Sequence, residues 1–209
     1  MITITPEERE YVRSFINDNC IERRPKGSTD LLRMEGAGYY VWQFYLRAVM
    51  YDVKALNIIT KDFFLRNRGV NFSAIRLAGI ESSSVPLLTA FSQEAHRYGV
   101  ELDIISVRKT AKTYGLQQWV EGKVDFRPVM IVDDLISDNH KWNNHVVWIL
   151  EKSGVPILDR MYSIVNKHEK PTRIPISGKR TAELVSMFNL NDFELDYAKY
   201  EFDYLRRNP

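Results

Sequence analysis

The segment RPVMIVDDLISDN (residues 127–139) decides the fold. Four apolar residues, Val129 to Val132, run into two adjacent acids, Asp133 and Asp134, with Ser137 and Asp138 close behind. A short apolar run bounded by polar residues reads as a buried strand. Side chains alternate along a strand, so the two acids are expected on opposite faces and both wet only where the strand ends. Two carboxylates there either hold a ligand, such as a ribose diol or a magnesium ion, or form a solvated strand end with Asp138 capping the next helix.

Neighbouring segments supply the rest of the pattern. Residues 74–79 (AIRLAG), 100–107 (VELDIISV) and 155–166 (VPILDRMYSIVN) read as further strands. Helices are expected from about Ser84, where Leu87, Phe91, Glu94 and Tyr98 fall at helical spacing before Gly99, and over residues 141–153 before Gly154. Strands alternating with helices imply right-handed βαβ units, an α/β fold and a mostly parallel twisted sheet flanked by helices. Ligands of such sheets bind beyond the carboxyl ends of the strands. Three loops lie there: residues 79–84, 107–114 and 133–141.

Upstream, Thr5, Pro6 and Glu8 announce a capped first helix, with Tyr11, Val12, Phe15 and Ile16 on one face. Residues 20–38 read as loop, and residues 39–46 (YYVWQFYL) as strand or buried irregular chain. Asp52 caps a helix reaching about Asn67. Downstream, residues 179–188 are expected to be helical. A last helix from Asn191 would carry Phe193, Tyr197, Tyr200 and Tyr204 near one face.

Each loop has a ligand reading and a plain one. Residues 106–115 (SVRKTAKTYG) cluster Arg108, Lys109 and Lys112 after a strand. They suit a strongly anionic ligand such as a pyrophosphate, or are a solvated basic loop. Residues 79–86 (GIESSSVP) set Glu81, Ser82, Ser83 and Ser84 before a helix, as an anion nest or an ordinary capped turn.

In their order along the chain, the three loops resemble those of the type I phosphoribosyltransferases, and most closely the orotate phosphoribosyltransferase branch. VRKTAKTYG resembles that branch's mobile catalytic loop, Arg-Lys-x-x-Lys-x-His-Gly. It keeps Arg108, Lys109, Lys112 and Gly115 and puts Tyr114 where the family has histidine. VMIVDDLIS resembles the phosphoribosyl-pyrophosphate signature, and LAGIESSSVPLLTA the pyrophosphate loop. The resemblance spans residues 32–195. It implies a single phosphoribosyltransferase-like domain over residues 1–209, with residues 20–50 forming a small N-terminal hood over the site.

The resemblance also implies roles. A nitrogenous base, orotate-like, would displace pyrophosphate from 5-phosphoribosyl-1-pyrophosphate with Mg2+. Asp133 and Asp134 would hold the ribose diol, and the metal directly or through water. Ser137, Asp138, Asn139, His140 and Lys141 would take the 5′-phosphate, and Glu81 to Ser84 the pyrophosphate. Arg108, Lys109 and Lys112 would close over the leaving group. Arg33 and Tyr39 or Tyr40 would receive the base. The loop at residues 108–115 would be shared across a homodimer. One departure opens an alternative. The family follows its acid pair with Thr-Thr-Gly, but here Ser137, Asp138 and Asn139 stand there. A non-catalytic or repurposed nucleotide- or phosphoribosyl-binding regulator on the same fold fits that loss.

Bulk properties are consistent with either. Of 209 residues, 44% are apolar, enough for a large core, and a net charge of +2 argues against general nucleic-acid or membrane-surface binding. The single cysteine, Cys20, rules out an intrachain disulfide and suits a reducing compartment. No secretory pattern or bilayer-length apolar run is present, so a soluble cytoplasmic protein is expected. His96 and His145 lack a second ligand at metal spacing.

Overall fold

The computed structural model describes residues 2–25, 28, 30, 32–34, 38–110, 119–123, 125–136, 141–167, 173–177 and 180–195. In chain order the elements are α1 (Pro6–Asn19), β1 (Ile21–Arg23), β2 (Leu32–Met34), β3 (Gly38–Tyr40), β4 (Trp42–Phe44), α2 (Arg47–Tyr51), α3 (Val53–Arg66), β5 (Arg76–Ile80), α4 (Val85–Arg97), β6 (Ile104–Val107), β7 (Val120–Glu121), β8 (Val129–Ile136), α5 (Lys141–Lys152), β9 (Ile157–Asn166), β10 (Arg173–Ser177) and β11 (Arg180–Asn189).

Among the described residues, seven strands form the main sheet in the order β10-β11-β9-β8-β5-β6-β7. The five inner strands run parallel. The two edges, β10 and β7, are antiparallel. This is an α/β fold with a mostly parallel sheet flanked by helices. Strand alternation feeds two cores. Leu77, Met130 and Val132 pack with α1, α3 and α4, whereas Ala78, Val129 and Ile131 pack with α5. Because helices cover both faces, β5 is buried at every residue. Phe63 of α3 stacks on Phe91 of α4 at 4.0 Å and meets Tyr162 of β9 edge-on at 5.2 Å, which locks both helices to the sheet.

One buried cation fixes the start of the central strands. Arg76 is fully buried and donates to the carbonyls of Lys123, Asp125 and Arg127 at 2.8 Å each. Its Nε lies 3.3 Å from the Asp125 carboxylate. The planar guanidinium fork thereby ties β5 to the segment that leads into β8.

Several expectations are corrected. The capped first helix forms as read, with Thr5 and Glu8 bonding reciprocally, and Asp52 caps α3. Residues 20–38 include β1 and β2, which pair with β4 and β3. A short helix, α2, precedes α3. The second strand begins only at Ile104. The largest miss is the helix expected over residues 179–188, where residues 180–188 fold into β11. Good helix formers such as Ala182, Glu183 and Leu184 lie there, but pairing with β9 on one side and β10 on the other overrides them. After it, Asn189 caps a single 3₁₀ turn, Leu190–Asp192. Phe193 packs on Phe44 and Phe188. Most of the expected last helix, with Tyr197, Tyr200 and Tyr204, lies outside the described residues.

Candidate active site at the strand tips

The site follows from unequal strand lengths. β5 pairs with β8 only as far as Ala78 opposite Ile131, whereas β9 accompanies β8 to Ile136 opposite Asn166. Beyond Ile131 the β5 side of β8 is therefore left to the turn that follows Ile80. Gly79 permits this. A Cβ there would collide with the Ser84 hydroxyl and lie 2.5 Å from the Val132 carbonyl oxygen.

The acid pair lies within β8, two residues short of its end, rather than at its tip. Nor do the acids point cleanly to opposite faces. Val132 and Leu135 are an odd number of residues apart, yet both pack against the same core, so alternation breaks at the pair. The Asp133 carboxylate takes the Asp134 N–H at 2.9 Å, and the Asp134 carboxylate takes the Leu135 N–H at 3.0 Å. Asp133 is buried and Asp134 half-buried. Burial, and then the neighbouring Asp134 charge, push the Asp133 carboxyl well above the usual carboxylate range. Burial also raises Asp134, opposed in part by its hydrogen bonds and by Arg47 of α2. A buried pair of like charges is what a diol or a divalent cation would relieve, so the residues present fit magnesium. Among the described residues no cluster of three or more acids, histidines or cysteines forms a self-sufficient metal site.

The turn at residues 81–84 touches both neighbours of β5. On one side Ser83 donates its hydroxyl to Asp133 at 3.3 Å. On the other, Glu81 lies 3.5 Å from the Arg108 guanidinium. The expected nest is narrower than the sequence implied. The Glu81 N–H is taken by the Val107 carbonyl, and Ser84 is buried, with both its N–H and its hydroxyl bonded to the Ile80 carbonyl. Ser82 and Ser83 keep N–H groups without a partner among the described residues.

Arg108 is not on a free loop. Its N–H donates to the Trp119 carbonyl at 2.9 Å, closing the neck of the β6–β7 hairpin. His145 of α5 approaches its carbonyl at 2.8 Å. Its side chain bonds Glu121 at 3.1 Å. Lys109, half-buried, begins the excursion beyond the neck. Lys112 lies outside the described residues, as do Ser137, Asp138, Asn139 and His140. Lys141 starts α5, and Arg33 and Tyr39 face each other across β2 and β3, with Tyr40 beside them. The side chains of these four lie outside the described residues.

Four contributors escaped sequence reading. Glu121 lies on a two-residue edge strand that carries no periodic signal. His145 looked like an ordinary helix residue. Arg47 belongs to a helix that was not expected. Lys167 follows the last residue of β9, its N–H bonded to Ile136, and its amine lies 4.6 Å from the Trp42 ring. The position just past an apolar strand was the available clue for Lys167.

Among the described residues no helix is long and apolar enough to cross a membrane. Cys20 is buried, which raises its thiol to about 11.

No protein-family model matches the chain. Curated orotate phosphoribosyltransferases do match. The Pyrococcus horikoshii protein is 28% identical over 127 residues, 60% of this chain and 62% of that protein. The Methanococcus maripaludis protein is 26% identical over 173 residues, 79% of this chain and 85% of that protein. The chain thus spans less than two thirds of the Pyrococcus relative. Solved structures share the fold. A phosphoribosyltransferase from Corynebacterium diphtheriae superposes with a TM-score of 0.68 at 16% identity, covering 89% of this chain and 98% of that one. The Mycobacterium tuberculosis orotate phosphoribosyltransferase in complex with 5-phospho-alpha-D-ribosyl 1-diphosphate gives 0.60 at 14% identity, covering 90% and 93%.

Proposed function

We propose that this chain, an orotate phosphoribosyltransferase-like protein on the type I phosphoribosyltransferase fold, transfers 5-phosphoribosyl from phosphoribosyl pyrophosphate to a nitrogenous base, with an orotate-like pyrimidine favoured. The observation that carries this is the turn at residues 81–84, which joins Asp133 through Ser83 and Arg108 through Glu81. One turn thus links acids suited to a sugar with a cation suited to a diphosphate. The relatives' activity supports the same reading.

The chemistry then divides between the strand tips. Asp133 and Asp134 accept the ribose hydroxyls and stabilise positive charge as the anomeric C–O bond breaks. Magnesium, held at the same acids directly or through water, would neutralise diphosphate charge. Ser82 and Ser83 offer N–H groups to the diphosphate. Arg108 and Lys109, with Lys112, neutralise the leaving group and exclude water, which would otherwise hydrolyse the donor. Residues 137–141 lead into the N-terminus of α5, where peptide dipoles favour the 5′-phosphate. A base nitrogen attacks the anomeric carbon as diphosphate departs. Residues 20–50 form the hood, and the base lies beneath it near Arg33, Tyr39 and Tyr40. Lys167 beside Trp42 supplies a further cation on that side. A homodimer sharing residues 108–115 and a cytoplasmic location complete the reading.

The test is release of pyrophosphate on incubation with the donor, Mg2+ and a panel of pyrimidines and purines. Turnover with one base is expected. Silence across the panel, with no binding of the donor, would refute it. The regulator reading is favoured by the loss of Thr-Thr-Gly at residues 137–139. Under it, the Arg108→Ala/Lys112→Ala double variant keeps ligand affinity and has no turnover to lose. The enzyme reading expects a large loss of turnover.

A further inference from the structure

The Arg108 guanidinium forms an ion pair with the serine turn, and two carboxylates already engage it. Glu121 bonds it at 3.1 Å and Glu81 lies 3.5 Å away. Its backbone cannot shift toward a ligand without cost, because its N–H is held by Trp119 and its carbonyl by His145. A diphosphate arriving at Ser82 and Ser83 must therefore compete for the side chain where it stands. Glu121 comes from the edge strand β7 and Glu81 from the turn itself. The cation thus bridges the two segments that a leaving group would meet. A guanidinium forks equally well onto carboxylate or phosphate oxygens, so the two acids mimic the ligand's own charge.

We propose that Glu121, together with Glu81, is an internal competitor for Arg108 that sets how tightly the site holds diphosphate. The inference rests on the phosphoribosyltransferase reading and deepens it. Each carboxylate lowers diphosphate affinity twice, by occupying Arg108 and by repelling the incoming anion. Weak retention favours product departure after transfer. Glu121 is a positioning residue in this scheme, since it acts through Arg108 and need not touch the sugar.

The experiment is titration calorimetry of the full chain with inorganic pyrophosphate in Mg2+. Glu121→Gln keeps the shape and an acceptor but removes the charge. It should tighten binding roughly two- to five-fold, the factor that an exposed ion pair of up to about 1 kcal/mol supports. Glu81→Gln should act in the same direction, which guards against one variant misfolding. Arg108→Ala should weaken binding, and in that background Glu121→Gln should lose most of its effect. Tightening of equal size with and without Arg108 would overturn the competition, as would unchanged or weaker binding in both Gln variants. If the unaltered chain and every variant fail to bind pyrophosphate, both this inference and the functional reading fall. Binding that ignores Glu121 and Glu81 removes the inference alone.

Discussion

Ser83 donates its hydroxyl to Asp133 across 3.3 Å, from the turn after one parallel strand to the interior of the next. That bond is possible because β5 stops pairing with β8 before the acids are reached. Through Glu81 the same turn also reaches an arginine, so it contacts Asp133 on one side and Arg108 on the other.

Neutralising Asp133 should stabilise the fold while removing function. Its carboxyl is raised by burial and by Asp134, so the folded state prefers the protonated form. That preference contributes stability in full below the unfolded carboxylate value of about 3.9, and the contribution is lost as pH rises through the folded value. Above the unfolded carboxylate range, holding an acid at this buried position is therefore a cost that Asp133→Asn relieves. Without divalent ions, the variant's melting point should exceed the unaltered chain's by about 2–4 °C, corresponding to ~1 kcal/mol at this length. The gap should close below about pH 4. A variant less stable at pH 7 would contradict this assignment.

Gly79→Ala should be poorly tolerated although the added group is one methyl. Its Cβ meets the buried Ser84 hydroxyl and the Val132 backbone, and neither is the far end of a flexible side chain. Overpacking of this kind costs about 1–3 kcal/mol. Urea unfolding should show a lower midpoint with an unchanged slope, and donor binding should weaken because the turn is pushed off β8. Wild-type stability together with wild-type binding would show that the close approach is not needed.

Arg76→Lys should cost about 2–4 kcal/mol despite keeping the charge, since one ammonium cannot serve the carbonyls of Lys123, Asp125 and Arg127 as a fork does. Chemical denaturation measures it. Recovery of full stability by lysine would mean that charge rather than geometry matters at that position.

Much of this was legible in the residues themselves. The apolar run into Asp133 and Asp134 located β8, and Leu87 with Phe91 located the face of α4 that packs against the core. Of the three loops singled out at the carboxyl edge, the turn at residues 81–84 meets Arg108 through Glu81 and Asp133 through Ser83. What remained hidden depends on partners distant in sequence. The segment read as helix over residues 179–188 keeps that appearance until β9 and β10 flank its described part. Glu121 is unremarkable until the hairpin places it beside Arg108. The spent donors of Glu81 and Ser84 were equally invisible, because only the paired structure shows that the Val107 and Ile80 carbonyls have claimed them.

The central claim is that Asp133 and Asp134 and the turn at residues 81–84 form one sugar-diphosphate crevice. The most direct measurement is calorimetric titration of the full chain with phosphoribosyl pyrophosphate in Mg2+, alongside Asp133→Asn/Asp134→Asn. Saturable binding that weakens at least about ten-fold, roughly 1.4 kcal/mol, in the double variant is the predicted result. Equal affinity in both proteins, or no heat in either, would contradict it.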